Sequence, residues 1–312
     1  MCRIESLVSM NLKLQEPAAD GCGLCGSTFG RELYTTTDHL GNSAVSFSIV
    51  HCNGCGVLRT LPAMTEAELT GYYPDDYWGE ARPDQKWIES SQAEKTRFIS
   101  RCGLAGGTIL DVGCGAGYFL RALHPDQWNR YGVEIGAHAS RAATEALGIG
   151  RVFNGSLLTT ALHGGTFDVV CFWSALEHTN EPRANVLEAR RVLKKGGTLI
   201  VQVPNAASYQ TRLFGGAWSA LDAPRHRYHF TQQTLGRLLS ETGFEIYDST
   251  LFSRSHNAHA LRQSLKSKLN ATYTPMVSRP LFLLSIPLIK PVDWLMTALG
   301  HGATLTIAAH AV

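Results

Sequence analysis

The sequence predicts an α/β fold: a doubly wound, mostly parallel sheet of seven strands, preceded by a small segment organised by cysteines. Three observations carry this. From residue 108 onward, short apolar runs alternate with stretches of helical period, the pattern of strands linked by crossover helices. The run "LDVGCGAGYF" (110–119) takes an apolar strand straight into three glycines, a loop whose bare backbone suits a nucleotide. Ahead of both, residues 20–60 hold two Cys-x-x-Cys pairs.

Taken in order, residues 1–19 read as a flexible arm, 20–60 as the cysteine segment, and 61–107 as a connector with "YYPDDYW" (72–78) and a helix near 85–101. The large domain spans 108–312. Its strands are "GTILDVG", "RYGVEIG" (130–136), "RVFNGS" (151–156), "FDVVCFWSA" (167–175), "TLIVQVPN" (198–205), "EIYDSTLF" (245–252) and "ATLTIAAHA" (303–311). Helices are expected over 138–147, 181–197 and 234–244, the second with Lys-Lys in its last turn and Gly at its end. Two inserts, 206–230 and 253–302, interrupt this alternation.

Composition sets limits. Hydrophobic residues are 44% of the chain and charged ones 17%, enough apolar material for a sizeable core. A net charge of +2 is no general polyanion-binding signature. The first residues lack an apolar h-region with a small-residue cleavage site, and no run of about 18 apolar residues exists. The expectation is therefore a cytoplasmic chain, in which eight cysteines point to metal binding or packing before disulfides.

Cys22, Cys25, Cys52 and Cys55 form two short knuckles. Four soft thiolates at this spacing suit one structural, tetrahedral Zn2+ with no open position. The alternating "SAVSFSIVHC" between them suits a hairpin. The competing reading, a pair of redox sites, lacks the expected helix after a core strand. Cys2, Cys102, Cys114 and Cys171 read as packing or loop residues. Arg31 and Arg59 are balanced by Asp20, Glu32 and Asp38, so nucleic acid is not the expected partner.

In the glycine loop, a dinucleotide fingerprint would place its third glycine at position 118, which is Tyr118; here it is Gly117. Asp111 precedes the loop, and Glu134 closes the second strand. "LDVGCGAGYF", followed in order by "FDVVCFWSALEH" and "RRVLKKGGTLIVQVPN", resembles the class I S-adenosylmethionine-dependent methyltransferases, a Rossmann-like family, over roughly 105–252. The resemblance implies S-adenosyl-L-methionine as cofactor. Gly113, Gly115 and Gly117 would admit its methionine and ribose, Asp111 its amino-acid end, and Glu134 its ribose hydroxyls. Asn154 stands where the family usually has an Asp facing adenine. Trp173, ending the fourth strand, joins the cofactor-binding set. "HCNGCGVLRTLP" with "YYPDDYW", and "APRHRYHFT" in the 206–230 insert, further resemble the zinc-headed methyltransferases of sugar, polysaccharide and natural-product pathways. In that group the ribbon and the connector help shape the acceptor pocket.

Methyl transfer is an in-line displacement, and a hydroxyl acceptor must lose its proton. His178, His226 and His229 fall after the fourth and fifth strands, where the acceptor should sit. Arg225 either binds an acidic acceptor group or pairs with Asp222. Residues 253–292 contain no Asp or Glu, and "PLFLLSIPLIKPVDWLM" lies at 280–296. This region is either a helix pair packed on the domain or a basic, apolar surface for a membrane or lipid-linked acceptor, spanning about 253–300. The reading is O-methylation of a sugar, glycan or related small molecule. Alternatives are C-methylation of a nucleotide-linked keto-sugar, or a nucleic-acid-binding ribbon with a degenerate domain. The oligomeric state is left open.

Overall fold

The computed structural model describes residues 21–41, 45–65, 68–69, 71–73, 83–272 and 291–312. The arm (1–19), residue 20, most of "YYPDDYW" and residues 273–290 of the basic, apolar insert lie outside the described residues.

Seven strands make the main sheet: β4 (Gly107–Val112), β5 (Trp128–Glu134), β6 (Val152–Asn154), β7 (Phe167–Trp173), β8 (Leu193–Pro204), β10 (Phe244–Thr250) and β11 (Thr304–Ala311). Their order is β10-β11-β8-β7-β4-β5-β6. The pairs among β6, β5, β4, β7 and β8 are parallel; β11 runs antiparallel to both neighbours. Strand order reverses beside β4, which opens a crevice at the carboxyl ends of β4 and β7.

Near-continuous apolar strands bury both faces of the sheet. Alternation sends Ile109, Val169 and Ile200 to one layer, with Phe98, Phe119 and Leu120. It sends Leu110, Val170 and Val201 to the other, with Val186, Ala189 and Leu238. Burying each of the Val, Leu, Ile and Phe side chains among these contributes about 1.5–3 kcal/mol.

The helix expected over 181–197 is shorter. It spans Pro182–Val192, and β8 begins at Leu193, paired with Phe167. Lys194 is therefore not a helix-end cation. As a strand residue it reaches Asp168 at 2.8 and 2.9 Å, and this cross-strand pair favours extension over another helical turn.

A second, antiparallel sheet has the order β1-β2-β3-β9: Gly30–Thr37, Ser46–Cys52, Leu58–Leu61 and Tyr228–His229. Its fourth strand comes from the 206–230 insert, with Leu58 opposite His229 and Arg59 opposite Tyr228. The cysteine segment and the insert thus form one unit across the expected boundary. From the second insert, helix Arg254–Thr272 packs Leu261 against Trp218 and Leu221. No helix among the described residues is long and apolar enough to cross a membrane.

Candidate active site

The loop after β4 turns on three left-handed glycines, with φ of 72°, 55° and 76° at Gly113, Gly115 and Gly117. At Gly113 a Cβ would meet the Ala175 side chain at 2.8 Å, so both conformation and space demand glycine. The Gly115 N–H donates to Glu134 Oε2 at 2.8 Å, and the Gly136 N–H to Oε1 at 2.7 Å. These bonds lock the buried carboxylate beneath the loop and leave further lone pairs for a ligand's hydroxyls. Burial pushes its pKa up, against those two donors.

Asp111 is 3% exposed, and its Oδ1 has no hydrogen-bond partner. Burial pushes its carboxyl up to about 7, with the Lys95 ammonium opposing. Lys95 Nζ also stands 5.5 Å from the Trp173 ring centroid. Trp173 lines the cleft while packing edge-on against Phe119 at 5.3 Å. Asn154 ends β6, but its Nδ2 donates to the Glu134 and Ile135 carbonyls at 2.9 and 3.2 Å. Gly155, Ser156 and Leu157, just beyond it, line the cleft.

That cleft, about 1560 Å³, runs from Gly113 and Glu134 to a cluster formed by Glu177, His178 and His226. Glu177 is 0% exposed, and neither carboxylate oxygen accepts a hydrogen bond from another residue. Burial pushes its pKa up to about 8. The His178 Nδ1–H donates to the Arg225 carbonyl at 3.1 Å, with Tyr73 Oη 3.3 Å away. The His226 Nδ1–H donates to the Ala220 carbonyl at 2.9 Å. Both rings are thereby fixed in one tautomer, with Nε2 carrying the free lone pair. His226 Nε2 is 4.0 Å from Glu177 Oε1 and 3.8 Å from Asp222 Oδ2. The two imidazoles meet edge to face, centroids 4.5 Å apart. One ligand atom from each of Glu177, His178 and His226 lies within 4.8 Å of the others. Burial lowers both histidine pKa values, that of His178 to about 3. Two non-glycine residues with positive φ, Ser174 (54°) and Asp222 (36°), also line this end, where strained backbone commonly serves function.

His229 is placed differently. Thr60 donates its hydroxyl to the His226 carbonyl at 2.6 Å and so accepts from His229 Nε2–H at 3.0 Å. His229 is buried in β9 and is not among the residues lining the cleft. Arg225 resolves its two readings toward pairing: it binds Asp222 through Nε and Nη2, and Asp38 at 2.7 Å. Arg225 and Asp38 are 0% and 3% exposed at the side chain, so this pair bolts the ribbon to the insert inside the protein.

The cysteines converge. Sγ distances are 3.7 Å for Cys22–Cys55 and 3.6 Å for Cys25–Cys52, and all four sulfurs lie within 4.8 Å of one another. A tetrahedron with Zn–S of about 2.3 Å requires sulfurs about 3.8 Å apart, so the four fit zinc. Gly23, inside the first knuckle, donates its N–H to Tyr228 Oη at 3.1 Å, and that hydroxyl donates to the Asn180 carbonyl at 3.2 Å. A Cβ at Gly23 would lie 2.9 Å from the same carbonyl oxygen. The cysteine knuckle therefore touches the wall of the cleft. Tyr73, Lys95 and Ser156 also join the site; Tyr73 lies in "YYPDDYW" and Ser156 in "RVFNGS", while no motif in the sequence ties Lys95 to it.

A family model described as "Methyltransferase domain" matches residues 85–249. The ubiquinone biosynthesis O-methyltransferase of Psychrobacter arcticus is 27% identical over 217 residues, covering 62% of this chain and 82% of that protein. The Pseudomonas aeruginosa protein of the same description is 26% identical over 214 residues, covering 65% and 91%. Among solved structures, geranyl diphosphate C-methyltransferase from Streptomyces coelicolor has 15% identity and a TM-score of 0.48, covering 77% of this chain and 89% of that one. An S-adenosylmethionine-dependent methyltransferase from Mesorhizobium loti has 16% identity and a TM-score of 0.45, covering 66% and 91%. The family match spans more than half of the 312 residues, and the chain belongs to the methyltransferase domain family, as an S-adenosylmethionine-dependent enzyme of class I.

Proposed function

We propose that the chain methylates an oxygen of a small-molecule acceptor, with sugars and glycans as the first class to try. One observation carries this: a cleft that starts at the glycine loop ends on a buried, unpartnered carboxylate and two imidazoles with free Nε2 atoms. A hydroxyl attacking a sulfonium methyl needs help in shedding its proton, and Glu177, His178 and His226 are the groups placed to give it. The relatives described as ubiquinone biosynthesis O-methyltransferases support oxygen as the nucleophile. On the cofactor side, Glu134 takes the ribose, the loop of Gly113, Gly115 and Gly117 admits the methionine and ribose, Asp111 holds the amino-acid end, and Trp173 walls the pocket. Asn154 acts indirectly, by fixing the turn that presents Ser156.

Zinc at Cys22, Cys25, Cys52 and Cys55 belongs to the same proposal, in a structural role. It would hold the knuckle that braces Tyr228 and Asn180. Elemental analysis of the purified chain is expected to give about one zinc per molecule at this site; four freely titratable thiols and no metal would reject it. The activity test is mass spectrometry of hydroxylated acceptors, nucleotide sugars and phenols among them, incubated with protein and S-adenosylmethionine. A methyl-mass increment on oxygen supports the reading. Methyl transfer confined to carbon or nitrogen overturns it.

A further inference from the structure

We propose that Glu177, His178 and His226 bind a divalent cation of borderline hardness, Mn2+ or Zn2+, at the acceptor end of the cleft. The inference rests on reading that end as the place where the acceptor hydroxyl is activated, and it says how. Two imidazoles and one carboxylate are a common ligand set for such ions, leaving positions open for a substrate oxygen.

Four features point the same way. One ligand atom from each residue lies within 4.8 Å of the other two; ligands about 2.1 Å from a common ion lie about 3–4.2 Å apart, so side-chain movement of about an ångström closes the site. Both histidines already donate Nδ1–H to a backbone carbonyl, Arg225 for His178 and Ala220 for His226. That is the outer support by which proteins aim a metal-binding imidazole. Glu177, fully buried, accepts no hydrogen bond from another residue; a buried carboxylate in that state is costly unless it meets a proton or a cation. The charges nearby agree. Asp38 and Asp222 both pair with the Arg225 guanidinium, and Glu177 has His226 Nε2 4.0 Å away.

With the cation in place, the acceptor hydroxyl coordinates it and releases its proton to solvent water. The oxygen then attacks the sulfonium methyl. An O–C bond forms, the C–S bond breaks, and its electron pair stays on sulfur as a neutral thioether. The histidines act here as ligands.

The test uses the full chain and Mn2+ alone, titrated while the free-ion electron paramagnetic resonance signal is followed. Mn2+ has little affinity for a thiolate cluster, so Cys22, Cys25, Cys52 and Cys55 do not confound it. One bound Mn2+ is expected. Glu177→Gln and His226→Gln should each weaken binding by at least about 10–100-fold, while calorimetric affinity for S-adenosylmethionine certifies that each variant is folded. Absence of binding, or equal binding by both variants, overturns the inference even if methyl transfer proceeds. Binding that is lost in the variants upholds it even if no hydroxyl is methylated, and then the O-methylation reading is what fails.

Discussion

The two halves of the cleft are built in opposite ways. The half proposed for the cofactor is built at the ends of adjacent parallel strands, and its carboxylate is satisfied: Glu134 accepts two backbone N–H groups. The acceptor half is assembled from distant stretches, among them a ribbon loop, the connector, the end of β7, the 206–230 insert and helix Arg254–Thr272, and it leaves polar atoms of Glu177 unpartnered. The first half is preorganised for a ligand of fixed shape. The second holds a buried electrostatic deficit that only an acceptor, a proton or an ion relieves.

The largest expected effect tests whether the halves are separable. His226→Ala and His178→Ala should each lower kcat by about 10²–10⁴-fold, and calorimetric affinity for S-adenosylmethionine should stay within about threefold. If affinity falls as far as turnover, the division between the halves is wrong.

Next comes the joint that makes the acceptor half possible. Arg225→Met strands the buried Asp38 and leaves the half-buried Asp222 without its partner, and removing one partner of a buried pair costs about 3–5 kcal/mol. Urea titration should show this loss. A change under about 1 kcal/mol would mean that the carboxylates find relief through protonation or water, and that β3 pairing with β9 holds the ribbon without this ion pair.

These differences explain what was legible in the sequence. The loop, Asp111 and Glu134 are readable because strand ends deliver them to one edge by local geometry. The cysteine pairs are readable because each knuckle is four residues long. Asp38 and Arg225 lie 187 positions apart, and nothing local in either announces the other. His229 looks equivalent to His226 in "RHRYHF", yet as a β9 residue opposite Leu58 it meets Thr60 behind the cleft wall. The helix end at Val192 is lost for a related reason: the local Lys-Lys-Gly-Gly signal is overridden by pairing with β7.

A moderate effect sharpens the cofactor half. Glu134→Ala removes a charged acceptor from two backbone N–H groups and, on the proposed reading, from the ribose, an expected cost of about 1.5–3 kcal/mol, or about 10–100-fold in cofactor affinity. Isothermal calorimetry with S-adenosylhomocysteine measures it directly. Unchanged affinity would remove Glu134 from the ribose site.

The smallest expected effect falls at Asn154, where local and tertiary signals disagree within the cofactor half. By position it should face adenine. Its Nδ2, however, donates to the Glu134 and Ile135 carbonyls, which ties the end of β6 to the end of β5. Gly155 and Ser156 then line the cleft in its place. Ser156 is itself tied into a turn, its hydroxyl 3.1 Å from that of Thr159, so the wall presented there is largely backbone. Asn154→Ala should therefore act through the turn, as the loss of one or two ordinary hydrogen bonds worth about 0.5–1.5 kcal/mol each. Cofactor affinity should drop only a few-fold, less than for Glu134→Ala, with a comparable small loss of stability. A Ser156→Pro change, which removes the N–H that donates to Thr159, should cost more than Asn154→Ala if the backbone carries the contact. A hundredfold loss of affinity on Asn154→Ala, at unchanged stability, would instead put its side chain directly on the adenine.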